Sequence, residues 1–175
     1  MRILSLFIFA LLTLAAQAQT WKQDLRKQLP LMGHRNWIVV VDSAYPLQSS
    51  TGIKTIWTDQ DQLTVVRDVL AELKKQKHVR PIVHLDKELK FVGNDAAPGI
   101  DKYRQNLASL LKGSNAISMP HEDIIHMLDE AGKTFNVIVL KTNLTLPYTS
   151  VFFQLDCGYW SADKEKAMRK KMGGK

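Results

Sequence analysis

The pattern of hydrophobic and polar residues predicts strands that alternate with helices along most of the chain. The segments WIVVVD, IKTIWT, HVRPIVHLD, NAISM, FNVIVLKT and YTSVFFQLDCGYW are apolar or rich in β-branched residues, as strands are. The segments TWKQDLRKQL, QLTVVRDVLAELKKQ, IDKYRQNLASLLKG and PHEDIIHMLDEAGK have the spacing or end signals of helices. This alternation predicts an α/β fold with a largely parallel central sheet.

Two details of the pattern refine the predicted sheet. WIVVVD carries Val and Ile on both faces of the strand, which indicates a sheet covered on both sides. We therefore expect a three-layer α/β/α sandwich. Only a few residues separate the last two strands, so an antiparallel strand at the edge is plausible there.

The first eighteen residues have the features of a signal peptide and are excluded from the domain. Arg2 precedes the apolar run ILSLFIFALLTLAA, and Ala16-Gln17-Ala18 forms a small-x-small cleavage site. The apolar run is short for a membrane span, so cleavage is favoured over a membrane anchor. We expect an exported protein, periplasmic or secreted, with a folded domain over 19–161 and a polar, basic tail over 162–175.

The charge distribution argues against nucleic-acid binding. The chain has a formal net charge of +7. Residues 164–175 carry six basic residues against one glutamate, and the body of the mature chain, 19–163, is close to neutral. A basic tail on a nearly neutral body is typical of a solvated chain end, since nucleic-acid backbones need a basic stripe.

The sequence lacks the common catalytic motifs that would identify a function. It contains no glycine-rich phosphate loop and no G-x-S-x-G sequence. The five histidines have no paired metal-ligand spacing, and His121 and His126 would lie on different faces of a helix. Cys157 is the only cysteine, so it cannot form an intramolecular disulfide. We interpret it as a small packed residue of a strand and not as a nucleophile.

Four polar residues stand near the ends of predicted elements. His34 precedes the strand WIVVVD and Asp42 ends it, at the side of an open α/β sheet where ligands bind. His121 lies in the first turn of a helix, where a positive charge is disfavoured, so we expect a neutral imidazole. Tyr148 is expected at the start of the last strand. Taken singly, each of these residues is more often structural than catalytic.

A further set of polar residues alternates along HLDKE. His84, Asp86 and Glu88 would share one face if the strand continued through them. A solvated strand end is the favoured interpretation of this pattern, and a functional face is the alternative.

Three motifs, in this order, resemble the D-ribose pyranase and L-fucose mutarotase (RbsD/FucU-like) family. The first is a Gly-His pair followed by an apolar strand and an aspartate eight residues after the histidine, His34 to Asp42. The second is His121-Glu122 at the start of a late helix. The third is Pro147-Tyr148-Thr149-Ser150, which is similar to a PYAN motif with Ser150 in place of the asparagine. The matching region runs from about residue 22 to 160.

The resemblance implies a sugar mutarotase that interconverts ring or anomeric forms of a free monosaccharide without a cofactor or metal. It implies a ring-shaped homo-oligomer, a decamer or an octamer. Carried over by position, His34 would be the proton donor, with Asp42 and His121 as further acid–base groups. Asp42, His121, Tyr148 and Ser150 would bind the sugar. Histidine suits this chemistry, because sugar ring opening needs one proton delivered and another removed near neutral pH.

Strand geometry adds a hypothesis about the assembly. Eight residues of strand span about 26 Å, so His34 and Asp42 at opposite ends of one strand cannot touch the same sugar. We therefore expect a composite site, in which His34 reaches the pocket of a neighbouring subunit. Two alternatives stay open, which are a non-catalytic monosaccharide-binding protein of the same fold and a structural protein whose ring assembly is its function.

Overall fold

The computed structural model describes residues 21–173, so the predicted signal peptide, residues 1–18, lies outside the described part. The helices are α1 (21–28), α2 (Gln62–Lys74), α3 (Ile100–Leu110), α4 (His121–Thr134) and α5 (Ala162–Lys171). The strands are β1 (Trp37–Val41), β2 (Ile53–Trp57), β3 (Val79–Asp86), β4 (Ile117–Met119), β5 (Val137–Lys141) and β6 (Val151–Cys157). The predicted alternation of strands and helices is confirmed.

The six strands form one sheet in the order β2-β5-β1-β6-β3-β4. The pairs β2/β5, β1/β5 and β3/β4 are parallel, and β6 runs antiparallel to both β1 and β3. The predicted antiparallel direction of the last strand is therefore confirmed, but its predicted place at the edge is wrong. The reason is burial, because Phe152 and Phe153 on opposite faces of β6 are both fully buried, whereas the edge strands β2 and β4 are partly exposed.

Two hydrophobic clusters cover the two faces of the sheet, so the three-layer sandwich is confirmed. One cluster joins α1, α2 and α3 to the face that carries Ile38, Val40 and Phe153. The other joins α4 to the opposite face, which carries Val39 and Phe152. All five residues of β1 are buried, as expected for a strand with apolar residues on both sides.

The sheet brings three chain segments together at one end of its central strands. Strands β1 and β3 both end there, at Val41 and Asp86, while the antiparallel β6 begins there at Val151. In the register, Val151 pairs with Val40 on one side and with Leu85 on the other. Residues just after β1, at the end of β3 and just before β6 therefore lie close together.

The basic C-terminal segment forms helix α5. Ser161 caps the helix, its side chain accepting a hydrogen bond from the Lys164 N–H. No side chain of α5 is buried, which agrees with the expected solvated end. Among residues 21–173, no helix has the length and apolar character needed to cross a membrane.

Candidate active site

A cavity of about 330 Å³ opens at the end of the sheet where the central strands β1 and β3 end and β6 begins. Its lining residues are Asp42, Ala44, Tyr45, Pro46, Asp86, His121, Pro147, Tyr148 and Ser150. The volume lies at the lower end of the range for small-molecule sites. Four of the five residues expected at the site from the sequence, Asp42, His121, Tyr148 and Ser150, are thus brought together.

Asp86 and His121 form a hydrogen-bonded pair in the wall of this cavity. The Nδ1 atom of His121 lies 3.0 Å from Oδ1 of Asp86, whose side chain is fully buried. When Asp86 is ionised its carboxylate can only accept, so Nδ1 carries the hydrogen and Nε2 keeps a free lone pair. The Oδ2 atom of Asp86 is also buried and has no partner among residues 21–173. The pair thus offers an oriented imidazole and one unused carboxylate oxygen.

Burial raises the pKa of the Asp86 carboxyl above its ordinary value. The hydrogen bond and charge of His121 oppose this rise, while the negative charges of Glu88 and Asp42 add to it. The perturbed carboxyl therefore lies in a cavity and has a specific charge partner, the combination that marks acid–base sites in enzymes.

Glu88 fixes the start of α4 and with it the backbone of His121. Both carboxylate oxygens of Glu88 accept hydrogen bonds from the His121 N–H, at 3.1 and 3.0 Å. The N-cap position is occupied by Pro120, which makes no side-chain cap. Glu88, from the turn after β3, thus takes the place of the missing local cap.

We expect Glu88→Gln to lower the free energy of unfolding by about 1 kcal/mol, the usual effect of losing a charged cap at a helix N-terminus. Urea denaturation followed by circular dichroism measures this change. Glu122→Gln is the matched control, since Glu122 is an exposed acid in the first turn of the same helix. An equal loss of stability in the two variants would contradict the assigned role of Glu88.

Asp42 and Tyr45 come from the loop that follows β1. The Asp42 side chain accepts a hydrogen bond from the Ala44 N–H at 2.8 Å, which closes a tight turn. Tyr45 is 6% exposed, and its hydroxyl has no partner within the described chain. Burial, with smaller contributions from Asp129 and other carboxylates, raises the pKa of Tyr45 to about 12. Tyr45 therefore stays protonated and can donate a hydrogen bond.

The sequence predicted Tyr148 at the start of the last strand, but in the structure it lies in a turn before that strand. Strand β6 begins three residues later, at Val151, and Tyr148 has a φ of 55°, in the left-handed region. The half-exposed phenol lines the cavity, and the centroid of its ring lies 5.6 Å from that of the His121 ring, in an edge-to-face arrangement. Ser150 completes this side of the cavity and is 2% exposed.

His34 is the one predicted site residue that lies elsewhere. It is exposed, in the turn before β1, and lines a different cavity. The turn is held by Asn36, whose Oδ1 accepts from the Gly33 N–H at 2.7 Å. Backbone hydrogen bonds join Arg35 and Asn36 to Leu155 of β6. Since β1 separates His34 from Asp42, the two residues cannot contact one small molecule within one chain, as strand geometry predicted.

The sequence prediction for HLDKE is wrong. His84 and Asp86 are buried and not solvated, with 4% and 2% exposure. His84 bonds to Gln154 at 3.1 Å and packs against Trp37. Helix α4 covers this face of β3, which is why the polar residues are enclosed. The alternation of polar residues along HLDKE could have identified Asp86 as a candidate site residue. No comparable pattern in the sequence marks Tyr45.

No cluster of three or more His, Cys, Asp or Glu side chains suited to a metal ion occurs within the described range. Cys157 is a free, half-buried cysteine at the end of β6. The cavity itself offers His121, Asp86, Asp42 and hydroxyl groups for proton transfer and hydrogen bonding.

The fold and the cavity define an α/β sandwich with acid–base groups at the ends of its strands, and solved structures share this fold. The structure of Bacillus subtilis RbsD complexed with D-ribose matches with a TM-score of 0.51 and 20% identity, covering 76% of this chain and 91% of that chain. The Streptococcus pneumoniae fucose mutarotase in complex with L-fucose matches with the same TM-score of 0.51, 20% identity, and coverage of 76% and 91%.

A third structure, FucU from Bifidobacterium longum, matches with a TM-score of 0.53 and 16% identity, covering 77% of this chain and 94% of that chain. No family model and no curated protein sequence matches this chain. The resemblance to the RbsD and FucU proteins is therefore confirmed at the level of the fold.

Proposed function

We propose that this protein is an exported sugar mutarotase or pyranase, which interconverts ring or anomeric forms of a free monosaccharide by acid–base catalysis. The observation that carries the proposal is the convergence of the His121–Asp86 pair, Asp42 and Tyr148 on one small cavity. The fold shared with structures that hold D-ribose and L-fucose supports a monosaccharide as ligand. The predicted signal peptide supports work in the periplasm or outside the cell.

The reaction needs only proton transfers. A base removes the proton of the anomeric hydroxyl while an acid delivers a proton to the ring oxygen, and the bond between that oxygen and the anomeric carbon breaks. The open-chain carbonyl form then rotates and closes by the reverse steps. No electrons leave the sugar, and the protons gained and lost are equal in number.

The cavity supplies groups for this chemistry. His121, oriented by Asp86, presents Nε2 as the proton-accepting or proton-donating atom. Asp42 is a further acid–base group, and with Tyr148 and Ser150 it holds sugar hydroxyls in fixed directions. The unpaired oxygen of Asp86 and the Tyr45 hydroxyl give the ligand one more buried acceptor and one more donor.

His34 enters this scheme as the proton donor from a neighbouring subunit. It is exposed and lies beyond the opposite end of β1 from the cavity, and the five residues of β1 alone span about 17 Å. A homo-oligomer, such as the expected decamer or octamer ring, would bring His34 of one subunit to the Asp42 cavity of the next. This arrangement makes assembly a condition of activity.

A screen of monosaccharides by saturation-transfer NMR on the mature protein tests the proposal. We expect faster exchange between the forms of at least one sugar, since the method observes exchange directly. His34→Ala and His121→Ala should each lower the exchange rate by about 100-fold or more, the usual contribution of an acid–base group. Unchanged rates in both variants, or full activity in a demonstrated monomer, would refute the assignment.

A non-catalytic monosaccharide-binding protein is the second candidate. The observation in its favour is Ser150, a buried hydroxyl where the resembled motif has an amide side chain. Saturation-transfer difference signals from a bound sugar, without faster exchange, would establish this alternative.

A further inference from the structure

A second cavity, of about 500 Å³, lies at the His34 end of the sheet. The residues that line it include His34, Arg80, Asp156, Tyr159, Trp160 and Glu165. The cavity forms where β6 ends and α5 begins. It is separate from the cavity at Asp42, which lies at the other end of β1 and β6.

Two aromatic side chains form the apolar wall of this cavity. Trp160 is 41% exposed and Tyr159 is 69% exposed, so both present ring surface to a ligand. The indole is held in place, because its Nε1–H donates to Oε2 of Glu165 at 2.7 Å. The ammonium group of Lys164 donates to the Tyr159 carbonyl at 3.1 Å. An exposed indole of fixed orientation, beside a second exposed ring, is suited to contacts with the apolar face of a ligand.

Each of the charged groups Arg80, Asp156 and Glu165 in this cavity has an ion-pair partner. The guanidinium of Arg80 donates through Nε and Nη2 to Oδ2 of Asp156, at 3.0 and 2.6 Å. Glu165 is paired with Arg169 at 2.7 Å. Paired charges leave little net field for an ion, but their spare donors and acceptors can bind hydroxyl groups. The cavity therefore suits a neutral polyol better than an anion or a cation.

We propose that this second cavity is a monosaccharide subsite, in which Trp160 and Tyr159 stack on one face of the sugar ring and the Arg80–Asp156 pair binds its hydroxyls. The inference rests on the proposed function. Since His34 lines the same cavity, the subunit that lends His34 to its neighbour also lends this aromatic wall. The wall would then contribute to sugar affinity at the composite site, and Trp160 would be a determinant of specificity.

The test compares Trp160→Ala with Trp160→Phe and with Trp57→Ala. Trp57 is a matched control, because it is 44% exposed and lies at the opposite end of the sheet, on edge strand β2. We expect Trp160→Ala to raise the KM for sugar exchange about tenfold with kcat retained, as for the loss of one stacking contact. Trp160→Phe should keep most of the affinity, and Trp57→Ala should match the wild type.

A second measurement separates this inference from the proposed function. Sugar titration followed by saturation-transfer difference NMR, whose signal comes from the sugar and not from the indole, reports binding even if exchange is absent. A sugar response that disappears in Trp160→Ala and persists in Trp57→Ala supports the subsite, whatever the exchange rate. Wild-type KM and wild-type sugar response in Trp160→Ala would overturn the subsite, and would leave the proposed activity standing if exchange is still observed.

Discussion

Mixed assemblies of His34→Ala and His121→Ala subunits are expected to recover about one quarter of the wild-type exchange activity, although each variant alone is inactive. The reason is geometric, since one chain places His34 and the Asp42 cavity at opposite ends of β1. In an equal mixture, a site is intact only if an His121→Ala subunit supplies His34 and an His34→Ala subunit supplies the cavity. Co-refolding the two variants and measuring exchange by NMR checks this result.

Native mass spectrometry of the same sample provides the control, because it shows whether mixed assemblies have formed. Separately refolded variants that are combined without exchange of subunits should remain inactive. Mixed assemblies that show no recovery would contradict a site shared between subunits.

Replacing Asp86 by Asn is expected to lower the exchange rate by about 100-fold. An asparagine has nearly the same shape, but it cannot accept hydrogen bonds through both side-chain atoms, so it no longer favours the tautomer of His121 with a free Nε2. The rate should fall chiefly in kcat, and the pH profile should change. Asp123→Asn is the matched control, since Asp123 is an exposed carboxylate in the first turn of the same helix.

The same substitution should change how stability depends on pH. The pKa of Asp86 is raised in the folded protein from an ordinary value of 3.8, mainly by burial. The folded state therefore holds this proton to higher pH than the unfolded state does, and its stabilising effect is lost as pH rises through the folded pKa. In Asp86→Asn this fall in unfolding free energy should be absent. Denaturant titrations from acid to neutral pH measure it, and parallel curves for wild type and variant would contradict the raised pKa.

Helix α2 and strand β1 show why much of the fold is readable from sequence. The apolar residues of α2 recur on one helical face, and Asp61 before it accepts a hydrogen bond from the Thr64 N–H. Both signals are local, so they do not depend on distant contacts. β1 has apolar residues on both faces, which requires cover on both sides wherever the strand lies in the sheet.

Strand β6 and Tyr148 show where local signals end. β6 lies between β1 and β3 because it pairs with both. Its partners in β1 are more than a hundred positions away in sequence, and its partners in β3 are about seventy positions away. The turn at Tyr148 needs a positive φ at that residue. A glycine would signal such a φ in the sequence, but PYTS contains none. Both features therefore required the tertiary structure.

The sequence by itself determined the α/β class, the six strands, helices α1 to α4, and a set of residues at the ends of those elements, whereas it gave α5 only as a polar tail. It also determined that His34 and Asp42 lie apart, since the length of a strand is a local property. Only the tertiary structure decided that Asp86 is buried against His121, because this pair joins residues thirty-five positions apart through the packing of α4 on β3. Hydrophobic periodicity reports which face of an element is covered, but the partner across that face is set by the packing of the whole chain.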